Sequence, residues 1–77
     1  MAKIYLIGDL ARLTDLSIDT LNYYLRIGLF EEVSRSERNK YRYFDKNTVK
    51  QLEKIKDLRL QKVSIKEILR RKNNGLL

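Results

Sequence analysis

The sequence predicts a mainly α-helical domain of about four helices, interrupted by a two-stranded β-hairpin. Three observations carry that expectation. Apolar residues recur at helical spacing in four separate stretches, each with a start or stop signal beside it. Two runs rich in aromatic and β-branched residues flank a polar, basic segment in the middle of the chain. With no Pro, no Cys and an apolar share of 43%, folding must come from packing alone, and that share is ordinary for a globular chain.

The first helix is expected where Ile7, Leu10, Ala11 and Thr14 recur on one face. A break follows at Thr14-Asp15-Leu16-Ser17, and the Ser17 hydroxyl suits the N-cap of a second helix running from Ile18 to about Ile27. Gly28 is placed to end it in the left-handed conformation. Ile18, Leu21, Tyr24 and Leu25 form its inward face; Asp19, Asn22, Tyr23 and Arg26 fall outward. Two helices joined by a tight turn, the second with a polar outer face, make a helix-turn-helix, expected over about 7–28.

Leu29-Phe30-Glu31-Glu32-Val33 and Lys40-Tyr41-Arg42-Tyr43-Phe44 are the expected strands of a hairpin with the basic tip Ser34–Asn39, a wing over about 30–44. Asp45 caps a third helix, about 46–61, with Val49, Leu52, Ile55 and Leu58 as its apolar stripe. After a break near Val63, Ser64 and Glu67 match a capping box. It opens a fourth helix, about 65–72, with Ile65, Ile68 and Leu69 inward and Arg70, Arg71 and Lys72 outward. At 77 residues there is room for one core, so 1–77 is expected to be a single domain.

Composition narrows the function. There is no Cys or His for a disulfide framework or zinc site, and no Gly-rich phosphate loop or nucleophile–base set, so the expectation is no enzyme activity and no cofactor. No apolar run is long enough to cross a bilayer, and the stretch from Met1 meets Asp9 too early for a signal peptide; a cytoplasmic location is expected, with no membrane partner. The net charge is +7 and the pI near 9.9, which suits polyanions, nucleic acid above all. That charge is uneven. Residues 1–33 carry three Lys and Arg against five acids, a net −2, whereas residues 34–77 carry fourteen against five, a net +9.

Taken in order, Ile7-Gly8-Asp9-Leu10-Ala11-Arg12-Leu13-Thr14, Leu16-Ser17, Thr20-Leu21-Asn22-Tyr23-Tyr24, Ile27-Gly28-Leu29-Phe30 and Tyr41-Arg42-Tyr43-Phe44 resemble the N-terminal domain of MerR-type transcription regulators, from about Tyr5 to Leu69. The resemblance implies a winged helix-turn-helix whose second helix enters the major groove of double-stranded DNA while the wing grips flanking phosphates. It offers Ser17, Thr20, Asn22 and Tyr23 from the recognition helix, and Arg42 after Tyr41 from the wing. Asp19 and Arg26 share the exposed recognition face, and Arg35, Arg38 and Lys40 join the wing set on charge and position alone. Three positions depart from the family pattern. Leu6 stands where Thr or Ser usually caps the first helix, Asn22 where Arg is usual, and Leu25 where an acid is frequent. Asn suits the N6/N7 edge of adenine, whereas Arg clamps phosphate or guanine.

Blander readings stand beside these. Tyr23 and Tyr24 point about 100° apart, so Tyr24 is expected in the core and Tyr23 at phosphate. Lys46, Lys50, Lys54, Lys56, Arg59 and Lys62 have a plain reading as a solvated face, and Glu31-Glu32 is an acid pair in sequence only. Family members continue into a dimerisation helix and an effector domain; this chain is expected to be either a piece of a longer protein or a minimal relative, with no small-molecule effector site. Sequence-specific transcription regulation is the leading reading, with dimeric or tandem assembly on DNA. The alternatives are an excisionase-like or nucleoid factor that bends DNA, and a module binding a protein or an anionic membrane through its basic C-terminal half.

Overall fold

The computed structural model describes residues 3–77; Met1 and Ala2, which belong to the stretch read for a leader, lie outside the described residues. In chain order the elements are α1 (Ile7–Thr14), α2 (Ile18–Arg26), β1 (Ser34–Arg35), β2 (Arg42–Tyr43), α3 (Lys46–Leu60) and α4 (Ile65–Asn73). This is a winged helix-turn-helix of four helices with a two-stranded antiparallel wing.

Local chemistry accounts for most helix ends. Leu6 has no side chain to cap α1, but the Asp9 carboxylate accepts the Leu6 N–H at 2.9 Å and supplies the missing partner from inside the helix. That bond, with help from Arg12, holds the Asp9 carboxyl below the usual carboxylate range. Ser17 Oγ accepts the Thr20 N–H at 3.0 Å, as its N-cap position requires. At the far end of α2, Leu29 N–H donates to Tyr24 O and Gly28 N–H to Leu25 O, with Gly28 at φ +79°. This Schellman turn closes the helix and swings Leu29 and Phe30 into the core. The exit of α3 repeats it with Lys62 at φ +65°, a conformation that costs a side-chain-bearing residue energy.

Asp45 opens α3 with a reciprocal box. Its carboxylate accepts the Thr48 N–H, and Thr48 Oγ1 accepts the Asp45 N–H. The box expected at α4 forms only by half. Ser64 Oγ accepts the Glu67 N–H, but the Glu67 carboxylate turns away to Arg70 and Arg71, because two guanidiniums 2.7–2.9 Å distant outbid a single backbone N–H.

One core unites the elements: Leu10 from α1, Leu21 and Tyr24 from α2, Leu29 and Phe30 from the link, Phe44 after β2, Leu52 and Ile55 from α3, and Ile68 from α4. Ile18 departs from the sequence expectation. It lies 46% exposed, because the first turn of α2 projects beyond the core. Lys56 and Lys72 depart too. Lys56 Nζ donates to Thr14 O at 2.8 Å and Lys72 Nζ to Gly28 O at 2.8 Å, so α3 and α4 each place a cation at the carbonyl end of a helix-turn-helix member.

The hairpin differs most from expectation. Its strands are two residues long, Ser34 facing Tyr43 and Arg35 facing Arg42, not the five-residue runs 29–33 and 40–44. Leu29 and Phe30 are apolar because they fill the core, not because they pair in a sheet. Tyr5 pairs with Phe44 through two 2.8 Å backbone bonds, a contact across 39 residues that ties the base of the wing to the entrance of α1. No helix among the described residues is long and apolar enough to cross a membrane.

Candidate nucleic-acid interface

Between α2 and the wing the surface is hollow. One open hollow of about 580 Å³ is bounded by the first turn of α1 with Arg12, by Asn22 of α2, and by Lys40, Tyr41 and Arg42 of the wing. A second, of about 310 Å³, runs between Asn22, Leu25 and Arg26 on α2 and Glu32 and Arg42 at the base of the wing. Asn22 and Arg42 line both.

Helical phase puts the α2 residues there. Tyr24 is 7% exposed in the core and Tyr23 is 43% exposed on the outer face, one step around the helix. Asp19, Asn22 and Arg26 are exposed beside it, and the Arg26 guanidinium lies over the Tyr23 ring, 5.9 Å from its centre. Such a cation over an aromatic face holds the ring outward and the charge alongside it. The Ser17 and Thr20 side chains are partly occupied with each other: Ser17 Oγ donates to Thr20 Oγ1 at 2.9 Å.

The wing tip is built from side-chain caps. Ser36 Oγ accepts the Arg38 and Asn39 N–H groups, and Asn39 Oδ1 accepts the Tyr41 N–H at 3.0 Å. Ser36 and Asn39 thereby satisfy loop N–H groups that the wing's own backbone bonds leave over. Lys40 N–H closes the turn onto Ser36 O at φ +63°. The result presents Lys40, Tyr41 and Arg42 to the larger hollow, all exposed.

Of the eleven residues singled out in the sequence, Asn22, Arg26, Lys40, Tyr41 and Arg42 converge on these hollows; Ser17, Asp19, Thr20, Tyr23, Arg35 and Arg38 lie outside their walls. Sequence reasoning passed over Arg12 and Glu32. Arg12 lines the larger hollow and pairs with Asp9 at 3.2 Å, and its exposed place on the polar side of α1 was a readable signal. Glu32 pairs with Arg42 at 3.6 Å and Arg35 at 3.9 Å, whereas Glu31 turns to Lys72. The two acids diverge as expected, though in an irregular segment and not in a strand. No group of His, Cys, Asp and Glu side chains able to hold a metal ion occurs among the described residues.

Residues 5–73 match the model of the MerR HTH family of regulatory proteins, nearly the whole chain. The chain belongs to that family. It is 39% identical over 71 residues to the transcriptional regulator BrlR of Pseudomonas aeruginosa, covering 92% of this chain and 26% of that protein. It is 37% identical over 73 residues to the HTH-type transcriptional regulator CueR of Bacillus subtilis, covering 95% of this chain and 50% of CueR. The chain therefore spans half or less of the curated relatives it matches. Among solved structures it superposes on HiNmlR, a MerR family regulator lacking the sensor domain and bound to promoter DNA, with TM-score 0.84, 26% identity, 96% of this chain and 55% of that one. A MerR family transcriptional regulator from Bacillus cereus gives TM-score 0.79 at 26% identity, over 86% of this chain and 48% of that one.

Proposed function

We propose that this chain is the DNA-reading domain of a MerR-type transcription regulator, a single domain that binds double-stranded DNA in the cytoplasm by contact and performs no chemistry of its own. The outer face of α2 enters the major groove, and the wing and the first turn of α1 hold phosphates on either side. The observation that carries this is the pair of hollows between α2 and the wing, where Asn22 faces Arg12, Lys40 and Arg42 on a chain of net charge +7. A groove flanked by cations admits the ridge of a DNA backbone while α2 reads the base edges beside it. HiNmlR, similar in fold over 96% of this chain, is bound to promoter DNA, which supports the same use here.

The roles divide by chemistry. Arg12, Arg35, Arg38, Lys40 and Arg42 neutralise phosphate, and Tyr23, steadied by Arg26, reaches backbone. Asn22 reads a base, with Ser17, Asp19 and Thr20 at the entrance of the groove; Asn in this position favours adenine. A domain of this size offers little contact area, so regulation requires two copies, as a dimer or in tandem on repeated sites. Selection of bound sites from a random DNA pool, with the winners' affinities measured at two salt concentrations, tests the proposal. A defined motif favoured over random sequence is the expected result. Equal, salt-sensitive binding to all duplexes would leave only the architectural reading, or a reader stripped of the partner helix it needs.

A further inference from the structure

Glu32 is an anomaly in a basic surface. Arg35 and Arg42 are partners in the register of the wing, and like charges in direct opposition repel. The Glu32 carboxylate sits between them, Oε2 3.9 Å from Arg35 Nε and Oε1 3.6 Å from Arg42 Nε. Both separations exceed hydrogen-bond length, and all three side chains are a third or more exposed, so these are loose ion pairs that a competing anion can open. Glu32 also lines the smaller hollow with Asn22, Arg26 and Arg42, where the DNA backbone passes in the reading above. Glu31, its neighbour in sequence, is 79% exposed and lies against Lys72, away from that hollow.

We propose that Glu32 is an electrostatic brake on phosphate binding: it competes with DNA for Arg35 and Arg42 and repels the backbone entering the hollow. This rests on the DNA-binding reading. A phosphate must displace the carboxylate before either arginine is free, so part of the cation's charge is spent within the protein and binding releases fewer counterions from DNA. The brake acts on every sequence alike, because phosphate carries no sequence information. It holds down the indiscriminate affinity of a chain with seven excess positive charges without touching base choice.

The test compares wild type, Glu32→Gln, Glu32→Ala and Glu31→Gln for binding to a random-sequence duplex across a salt series, with thermal melts to show that each variant is folded. Glu31→Gln changes the net charge by the same amount outside the hollow. The expected result is that both Glu32 variants bind about two- to fivefold more tightly at low salt, with a steeper salt dependence, while Glu31→Gln moves much less. Equal gains from Glu31→Gln and Glu32→Gln would reduce the effect to net charge and overturn the brake. Weaker binding by folded Glu32 variants would overturn it in favour of Glu32 positioning Arg42. Wild type failing to bind any duplex would bring down the DNA-binding reading itself, whereas wild-type binding unchanged in the Glu32 variants would sink only the brake.

Discussion

Helix α2 and the wing solve the same problem, presenting polar side chains to the hollows between them, by opposite means. α2 has its ends fixed by its own sequence: Ser17 caps its start, Gly28 ends it, and Leu21 and Tyr24 anchor it in the core. The wing has strands of two residues and owes its shape to Ser36 and Asn39 at the tip and to Phe44 and Tyr5 at the base. Their turns differ in the same sense. Both take a left-handed residue, Gly28 at φ +79° and Lys40 at φ +63°. Left-handed φ alone does not mark function, because Asp15 at φ +62° and Lys62 at φ +65° adopt it at the ends of α1 and α3. What sets Lys40 apart is that it lines the larger hollow, in a conformation that glycine would occupy at less cost.

The largest effect should come from the wing's anchor. Phe44 is buried, its ring centre 5.6 Å from that of Phe30. Phe44→Ala is expected to cost about 3–5 kcal/mol, read by denaturant melting, and to abolish DNA binding by releasing the wing from α1. Persistence of tight binding at temperatures where the variant remains folded would show that α2 suffices alone.

Contact residues on the two regions should then separate in kind. Arg42→Ala is expected to weaken all duplexes, on the order of tenfold near 0.1 M salt, and to flatten the salt dependence by about one unit of slope. Asn22→Ala should alter the preferred sequence more than the affinity for random DNA, as measured by repeating the site selection. An equal loss on specific and random DNA would remove Asn22 from base reading.

The two left-handed turns sharpen the comparison further. A Cβ at Gly28 meets nothing within 4 Å, so Gly28→Ala costs only backbone strain, about 1–2 kcal/mol. Lys40→Gly should do the reverse, leaving stability unchanged or raising it by up to about 1 kcal/mol while weakening DNA binding. A variant that bound as well as wild type would make Lys40 an accident of the turn.

The smallest effect lies in α4, as a baseline outside both regions. Bonds from Arg70 and Arg71 lower the Glu67 carboxyl from its ordinary value to about 2. A carboxyl depressed in the folded state stabilises above its unfolded pKa, so this contribution is present at neutral pH and is lost as pH falls from the ordinary glutamate range through about 2. Glu67→Gln should therefore reduce the acid sensitivity of the melt slightly, since the pairs are solvent-screened.

Helices were legible in the sequence wherever the signal was local. Caps at Ser17 and Asp45, the glycine at position 28 and the phase separating Tyr23 from Tyr24 all act within a turn or two, so residue order suffices. The hairpin was legible as a basic wing but not in its boundaries. Leu29 and Phe30 have the composition of a strand, and nothing within the segment reports that the core, not a sheet, takes them. Glu67 misled for a related reason: the spacing from Ser64 offers a backbone partner, and only the folded helix shows that Arg70 and Arg71 compete for it.

Sequence alone therefore determined the helical frame, the exposed polar face of α2, the basic second half and the resemblance to MerR-type regulators, because each depends on neighbours in the chain or on a sum over it. Tertiary structure decided the rest: the pairing of Tyr5 with Phe44, the reach of Lys56 and Lys72 to helix ends 42 and 44 residues away, and the placing of Glu32 between Arg35 and Arg42. These contacts join groups that the chain holds far apart or that only the turn of the wing brings face to face. Charge and packing act through space, and the spacing of residues along a sequence does not record it.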